Sequence, residues 1–420
     1  MIMTTSAFLQ TALLGVGALR VGRCPDARQA RALSSTLASV ACLLAIATLS
    51  FATVGGQEVT PWAPLPLLSA TVTLLACSLS ALARTRPQTY ATILALGALS
   101  TSVALLSYGV PAALVLSLSF LLTLMELRAS CPGTARLFAV YVGASTLLLI
   151  VGLTVGGSGT GTLVALAVGL AIRQAGVPFH TWFPRFVEKA PMGLVVAFVG
   201  PQLGVLLHLH LLSHHLTPTL EQFIPILGML TAVYSAILAT VQSSLRRTVA
   251  YLVISQSGLI AFGLESSSTL GRAGALTAWL LVGIAMSTFA MTVEAAEARH
   301  GGFLSLDSTG GDFEATPLLA TSFLLSGLST VGLPGTLGFV AEDLLVQGTI
   351  GDFPTLALTL IAVTATNAFT VMRCLLTVFV GPGKGADIDL LPREWRALTL
   401  ALGLLVLLGL CPWVLAHWFA

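Results

Sequence analysis

Apolar runs follow one another along almost the whole chain, separated by short knots of Gly, Pro, Ser and Arg. Their lengths lie near the roughly 17 to 25 residues that carry a helix across a hydrocarbon core, and they lack the short alternating pattern of barrel strands. The pattern predicts about fourteen spans, near residues 5–19, 33–54, 64–83, 89–108, 111–127, 135–155, 160–177, 192–212, 223–242, 248–264, 273–294, 315–348, 354–380 and 396–418. The expected fold class is all-α: a polytopic membrane helix bundle forming one integral membrane domain over 1–420. The N-terminal "FLQTALLGVGAL" also has the look of a signal sequence, but no small-residue cleavage site follows and the basic residues come after the apolar run, so it is read as the first span.

Composition agrees with this reading. Of 420 residues, 56% are hydrophobic and 9% charged, with a mean hydropathy of +0.95, which excludes a soluble globular domain. Charge supports the span list independently. Of the 19 Lys and Arg residues, all but three fall in alternate loops, as expected where basic loops stay on the cytoplasmic side. Arg272 maps to the opposite side, and Arg173 and Arg373 lie within spans; both termini are expected to face outward. The formal net charge of +2 follows from this topology and implies no nucleic-acid partner. The six cysteines are scattered, and no phosphate-binding or Cys/His metal motif is present, so no cofactor and no metal are expected. Any catalytic head belongs to a partner chain.

Two spans carry helix breakers. The seventh meets Gly176 and Pro178, continues through "FHTWFPRF" and restarts after Pro191, and the twelfth is divided at Gly332-Leu333-Pro334-Gly335. Unwound backbone at membrane depth is tolerated where it lines a cavity or is buried in protein, and paired broken helices point to an ion path. Trp182 is expected to be an interface or packing anchor, with Arg185, Glu188 and Lys189 at the inner surface. Ionisable residues in spans are costly and therefore candidates: Glu126 in the fifth, Arg173 in the seventh, His208 and His210 in the eighth, Glu342 and Asp343 in the twelfth, and Arg373 in the thirteenth. Arg373 lies close enough to a helix end to snorkel. Glu126 is a candidate partner for Arg173, or else snorkels beside Arg128. His208 is a candidate proton relay, and Glu342, two turns past the Gly-Pro-Gly break, a candidate terminal carrier.

Three segments carry a family resemblance. "RRTVAYLVISQSGLIAFGL" (246–264) closely resembles the "KRxLAYSxISQxGY" stretch of the antiporter-like subunits of respiratory complex I. "VPFHTWFPRFVEKAP" (177–191) resembles the "PFHxWLPxAxxxAP" segment of the broken seventh helix, and "GLPGTLGFVAED" (332–343) the segment at the break in the twelfth. The same family includes the large subunits of Mrp-type cation/proton antiporters, the membrane arms of energy-converting hydrogenases and the membrane subunit of a two-component inorganic-carbon uptake system. The resemblance implies two inverted five-helix repeats, about 110–245 and 246–380, with helices 7 and 12 broken at Pro178 and Pro334. It also implies a charge chain along the midplane, running from a glutamate on the fifth helix through a lysine on the seventh and residues on the eighth and eleventh to a lysine or glutamate on the twelfth. Glu126 and Glu342 match its two ends. Arg173 occupies the seventh-helix lysine position, Val205 the eighth-helix position, and Gly283 and Ser287 the eleventh-helix positions.

An arginine stays protonated in proteins, so Arg173 cannot pass a proton on as a lysine can. His180 and His208 are the candidate substitutes, with Asp343, Glu188 and Lys189 secondary. The implied function is proton translocation within a hetero-oligomer of membrane and soluble subunits, coupled to a partner's redox or transport work. The alternatives are a membrane subunit of inorganic-carbon uptake, or a non-conducting scaffold that anchors a soluble partner.

Overall fold

A computed structural model describes residues 2–54, 62–81, 85–106, 110–155, 159–212, 218–308, 310–311, 313–381 and 388–419. Among them the chain is helical throughout, without a strand; the single bridge joins Ser244 and Ser305. Each of the fourteen predicted stretches carries helix. By length and apolar composition, however, eight helices among the described residues are sufficient to cross a membrane, or nine if the pair Pro392–Leu410 and Pro412–Phe419, bent by 83°, is one span. The shorter apolar helices Leu65–Leu79, Thr160–Arg173 and Pro317–Ser329 do not reach that length alone. Arg84 and Lys384, part of the basic pattern, lie outside the described residues.

Both predicted breaks are present, and they end their first halves in the same way. Helix Thr160–Arg173 closes with Gly176 N donating to Ala171 O at 2.8 Å and Ala175 N to Ile172 O at 3.1 Å, Ala175 standing in the left-handed region at φ 55°. Helix Pro317–Ser329 closes with Leu333 N donating to Leu328 O at 3.1 Å around Gly332, at φ 79°. The six-to-one closure around a left-handed residue satisfies carbonyls that would otherwise be stranded in the apolar interior. Trp182 settles as a packing anchor, not an interface one: it is buried, and its Nε1 donates to Ile172 O at 3.0 Å, pinning the second half of the seventh span to the first.

Two irregularities were not foreseen. The eighth span is broken between Met192–Val199 and Leu203–Leu211, with Gln202 at φ 41°; the free carbonyl of Pro201 is taken by Trp279 Nε1 at 3.0 Å. The eleventh, Thr269–Leu281 and Ser287–Arg299, is joined by a π-helical stretch, Val282–Met286. These two irregular stretches face each other: a Cβ at Gly283 would lie 2.9 Å from Gly200 O, and one at Gly200 would lie 2.8 Å from Ser287 Oγ. Gly283 and Ser287 therefore serve close packing. Helices Pro218–Thr240 and Leu245–Leu264 meet backbone to backbone, since a Cβ at Gly258 would lie 2.5 Å from Gly228 O.

Candidate functional site

The first break places Arg173 in the protein interior with few partners. Its Nη2 donates to Ser119 Oγ at 3.3 Å, its guanidinium lies 5.0 Å over the Phe198 ring, and its Nη1 is enclosed without a protein acceptor. The expected pairing with Glu126 is not present. Glu126 sits seven residues along from Ser119 on helix Val110–Ser130, about 10 Å of helical rise, and is taken by Arg86 Nη2 at 2.8 Å and by Thr89 Oγ1 at 2.5 Å. Arg86, at the start of the fourth span's helix, reaches back to a nearly buried carboxylate. His180 packs edge-on to Tyr234 at 5.1 Å, and its enclosed Nδ1 meets no protein partner.

The second break carries the opposite charge. Glu342, on helix Leu337–Thr349, turns its carboxylate back onto the break; a Cβ at Gly332 would lie 2.3 Å from its Oε2. Its Oε1 is enclosed without a hydrogen-bond partner, and the neighbouring Thr364 hydroxyl is likewise enclosed and unpartnered. Asp343 is exposed and accepts from Gln347 at 2.8 Å. Glu188 and Lys189 form a surface cluster with Arg247, Glu188 accepting from Arg247 Nε at 2.7 Å. Partial burial pushes the Glu188 carboxyl up, but Arg247 and Lys189 outweigh this and hold it below the usual range. Arg373 is part-exposed and donates to the backbone carbonyls of Thr240 and Gln242, closing the end of helix Pro218–Thr240.

An uncharged polar row built from the "ISQSG" stretch lies between the eighth-span break at Gln202 and the second break. Ser257 Oγ accepts from Gln202 Nε2 at 3.4 Å, Gln256 Nε2 donates to Thr330 O in the second break at 2.9 Å, and Ser255 Oγ accepts from Asn367 Nδ2 at 3.0 Å. All three motif residues are buried. Gln202, which sequence reading passed over, reaches this row, whereas Val205 is buried in the apolar core. The signal was present in "GPQLG": Gly and Pro beside a lone amide within an apolar run.

Two buried pairings have no counterpart in the sequence reading. His208 Nε2 meets Glu265, at the end of helix Leu245–Leu264; both side chains are nearly enclosed. Arg246 is 2% exposed although it was counted as a loop charge. It pairs with Glu294 and with Glu297, whose Oε2 is 2.8 Å from Nε, and its Nη1 donates to Ala190 O at 2.9 Å under the Phe303 ring. This clasp ties the exit of the seventh span, the start of the tenth and the end of the eleventh. Two carboxylates three apart on one helix face, in "MTVEAAEAR", were the available sign.

Residues 145–369 match the family described as NADH:quinone oxidoreductase/Mrp antiporter, TM, just over half of the chain. The chain is 32% identical over 266 residues, 60% of its length, to NADH-quinone oxidoreductase subunit N of Halorhodospira halophila, covering 54% of that relative. It is 29% identical over 213 residues, 49% of its length, to F(420)H(2) dehydrogenase subunit M of Methanosarcina mazei, covering 43% of that relative. The chain thus spans about half the length of the curated relatives it matches. In fold it is similar to a chain of respiratory complex I from Thermus thermophilus (TM-score 0.88, 19% identity, 100% of this chain and 97% of that one). It is also similar to a chain of the Mrp complex from Dietzia sp. (TM-score 0.83, 16% identity, 99% and 95%).

Proposed function

Because the chain belongs to the membrane family shared by NADH:quinone oxidoreductases and Mrp antiporters, we propose that it is the proton-translocating membrane subunit of a multisubunit assembly related to complex I. The observation that carries this reading is Glu342: a part-buried carboxylate with one enclosed, unpartnered oxygen, held against the break in the twelfth span. A carboxylate with an unpaired, enclosed oxygen is neutralised by taking a proton, and Gln202, Ser257, Gln256 and Thr330 offer hydroxyl and amide groups between it and the eighth-span break, Gln202 and Ser257 lining one cavity with Arg173. In this scheme Arg173 is a fixed charge, while His208, paired with Glu265, exchanges protons in place of a lysine. Glu126, paired with Arg86, anchors the start of the path. The repeats over about 110–245 and 246–380 each contribute one break. Basic loops on one side support placement in a bacterial plasma membrane with both termini outward. The relatives' names, all subunits, support membrane and soluble partner chains.

Glu342→Gln, in the assembled complex reconstituted into vesicles, is expected to lower proton flux at least tenfold with normal assembly. Unchanged flux would sink the reading. It would leave the second one, a non-conducting scaffold for a soluble partner such as an inorganic-carbon enzyme. That reading is favoured by the absence of ionisable groups at Val205, Gly283 and Ser287.

A further inference from the structure

Arg173 carries a charge that no described carboxylate neutralises. Glu126 is engaged by Arg86 and Thr89, Glu265 by His208, Glu294 and Glu297 by Arg246, and Glu394 by Arg299. Burying a lone charge is costly, and a guanidinium does not escape by losing its proton. The Ser119 hydroxyl and the Phe198 ring are neutral partners, and Nη1 has none.

A second enclosed donor stands beside it. Gln174 Nε2 has no partner, and Gln174 and Arg173 line a cavity of about 30 Å³ together with Gln202 and Ser257. That volume holds one or two water-sized groups. Gln202 Oε1 is also unpartnered while its Nε2 contacts Ser257. Turned over, the same amide accepts from the Ser257 hydroxyl and presents Nε2 to the cavity as a third donor; which way an amide points is assigned from its hydrogen bonds. Phe183, Leu203 and Val253 complete an apolar wall. A water molecule would answer the free N–H groups and leave the charge; one small anion answers both.

We propose that Arg173, Gln174 and Gln202 form a binding site for a monovalent anion of halide size. The arginine supplies the charge and one N–H, and the two amides supply the remaining donors. The site does not depend on proton conduction, since a silent scaffold with the same enclosed, unpartnered Nη1 has the same need.

The test is equilibrium binding of radiolabelled chloride to the purified assembled complex, with bromide in crystals to locate the site by its anomalous signal. Saturable binding is expected, with the bromide peak beside Arg173 Nη1. Arg173→Gln should weaken it at least tenfold and Gln174→Leu several-fold, while Glu342→Gln should bind as the unaltered chain does whatever its proton flux. No saturable binding, a bromide peak elsewhere, or equal binding in Gln174→Leu and the unaltered chain overturns the proposal. Because Gln174→Leu keeps the charge, it decides the matter even if Arg173→Gln fails to assemble.

Discussion

The two breaks are built alike and charged oppositely. Each ends a half-helix with a six-to-one hydrogen bond around a left-handed residue, Ala175 at φ 55° in one and Gly332 at φ 79° in the other. One then presents a cation without a carboxylate and the other a carboxylate without a cation. The two cannot be neutralised in the same way, since a carboxylate can take a proton and a guanidinium cannot give one up. The same backbone device therefore supports a static charge at Arg173 and an exchangeable one at Glu342. The Arg246 clasp is the contrast to both: three charges buried together, each with a partner of opposite sign.

That contrast is broken most severely at the clasp. Arg246→Gln leaves two buried carboxylates uncompensated and is expected to cost about 3–5 kcal/mol, seen as a fall in the thermal midpoint and in recovered complex; a midpoint like that of the unaltered chain would refute the clasp. The left-handed residues come next. Gly332→Ala introduces a Cβ 2.3 Å from Glu342 Oε2 at φ 79° and should cost about 1–2 kcal/mol while displacing the carboxylate. Ala175→Gly should stabilise by less than about 1 kcal/mol, because relief of the left-handed strain is partly offset by glycine's added freedom when unfolded. Thermal unfolding of the pair, with shifts of opposite sign, tests whether the two closures are equivalent.

The smallest effect is expected at the surface, where charges are hydrated. Partial burial pushes Asp352 up, but hydrogen bonds from the Ser267 hydroxyl and amide and from Ser266 outweigh it and hold the carboxyl below its ordinary 3.8. A depressed carboxylate stabilises the fold above its unfolded value, and that stability is lost as pH falls through the lower folded one. The thermal midpoint should therefore decline as pH drops below 3.8. Asp352→Asn should flatten part of that decline, and an unaltered slope would remove Asp352 from the explanation.

The helical architecture and both breaks were legible because hydropathy and Gly/Pro placement act locally. Partners were not, since pairing depends on which helices meet. Arg86 and Arg246 looked like loop charges at helix starts, yet one turns back to Glu126 and the other is enclosed by the end of the eleventh span. Glu265 follows an apolar helix and reads as a loop residue until His208 is seen beside it. The π-helical stretch at Val282–Met286 has no sequence mark beyond Gly283, and its neighbour is set by tertiary packing: it lies against the eighth-span break at Gly200.

The glycine contact between Pro218–Thr240 and Leu245–Leu264 has a mechanical consequence. These helices stand in the sequence between the two breaks, and Gly228 and Gly258 bring their backbones so close that no side chain separates them. With no cushion to compress, this pair transmits a push as a strut does. Sliding by one residue would bring a bulkier neighbour into the gap. Thr231 on the first of these helices accepts from Val177 N beside one break, and Gln256 on the second donates to Thr330 O at the other, so the first substitution expected to loosen the link between them is a methyl group at the joint.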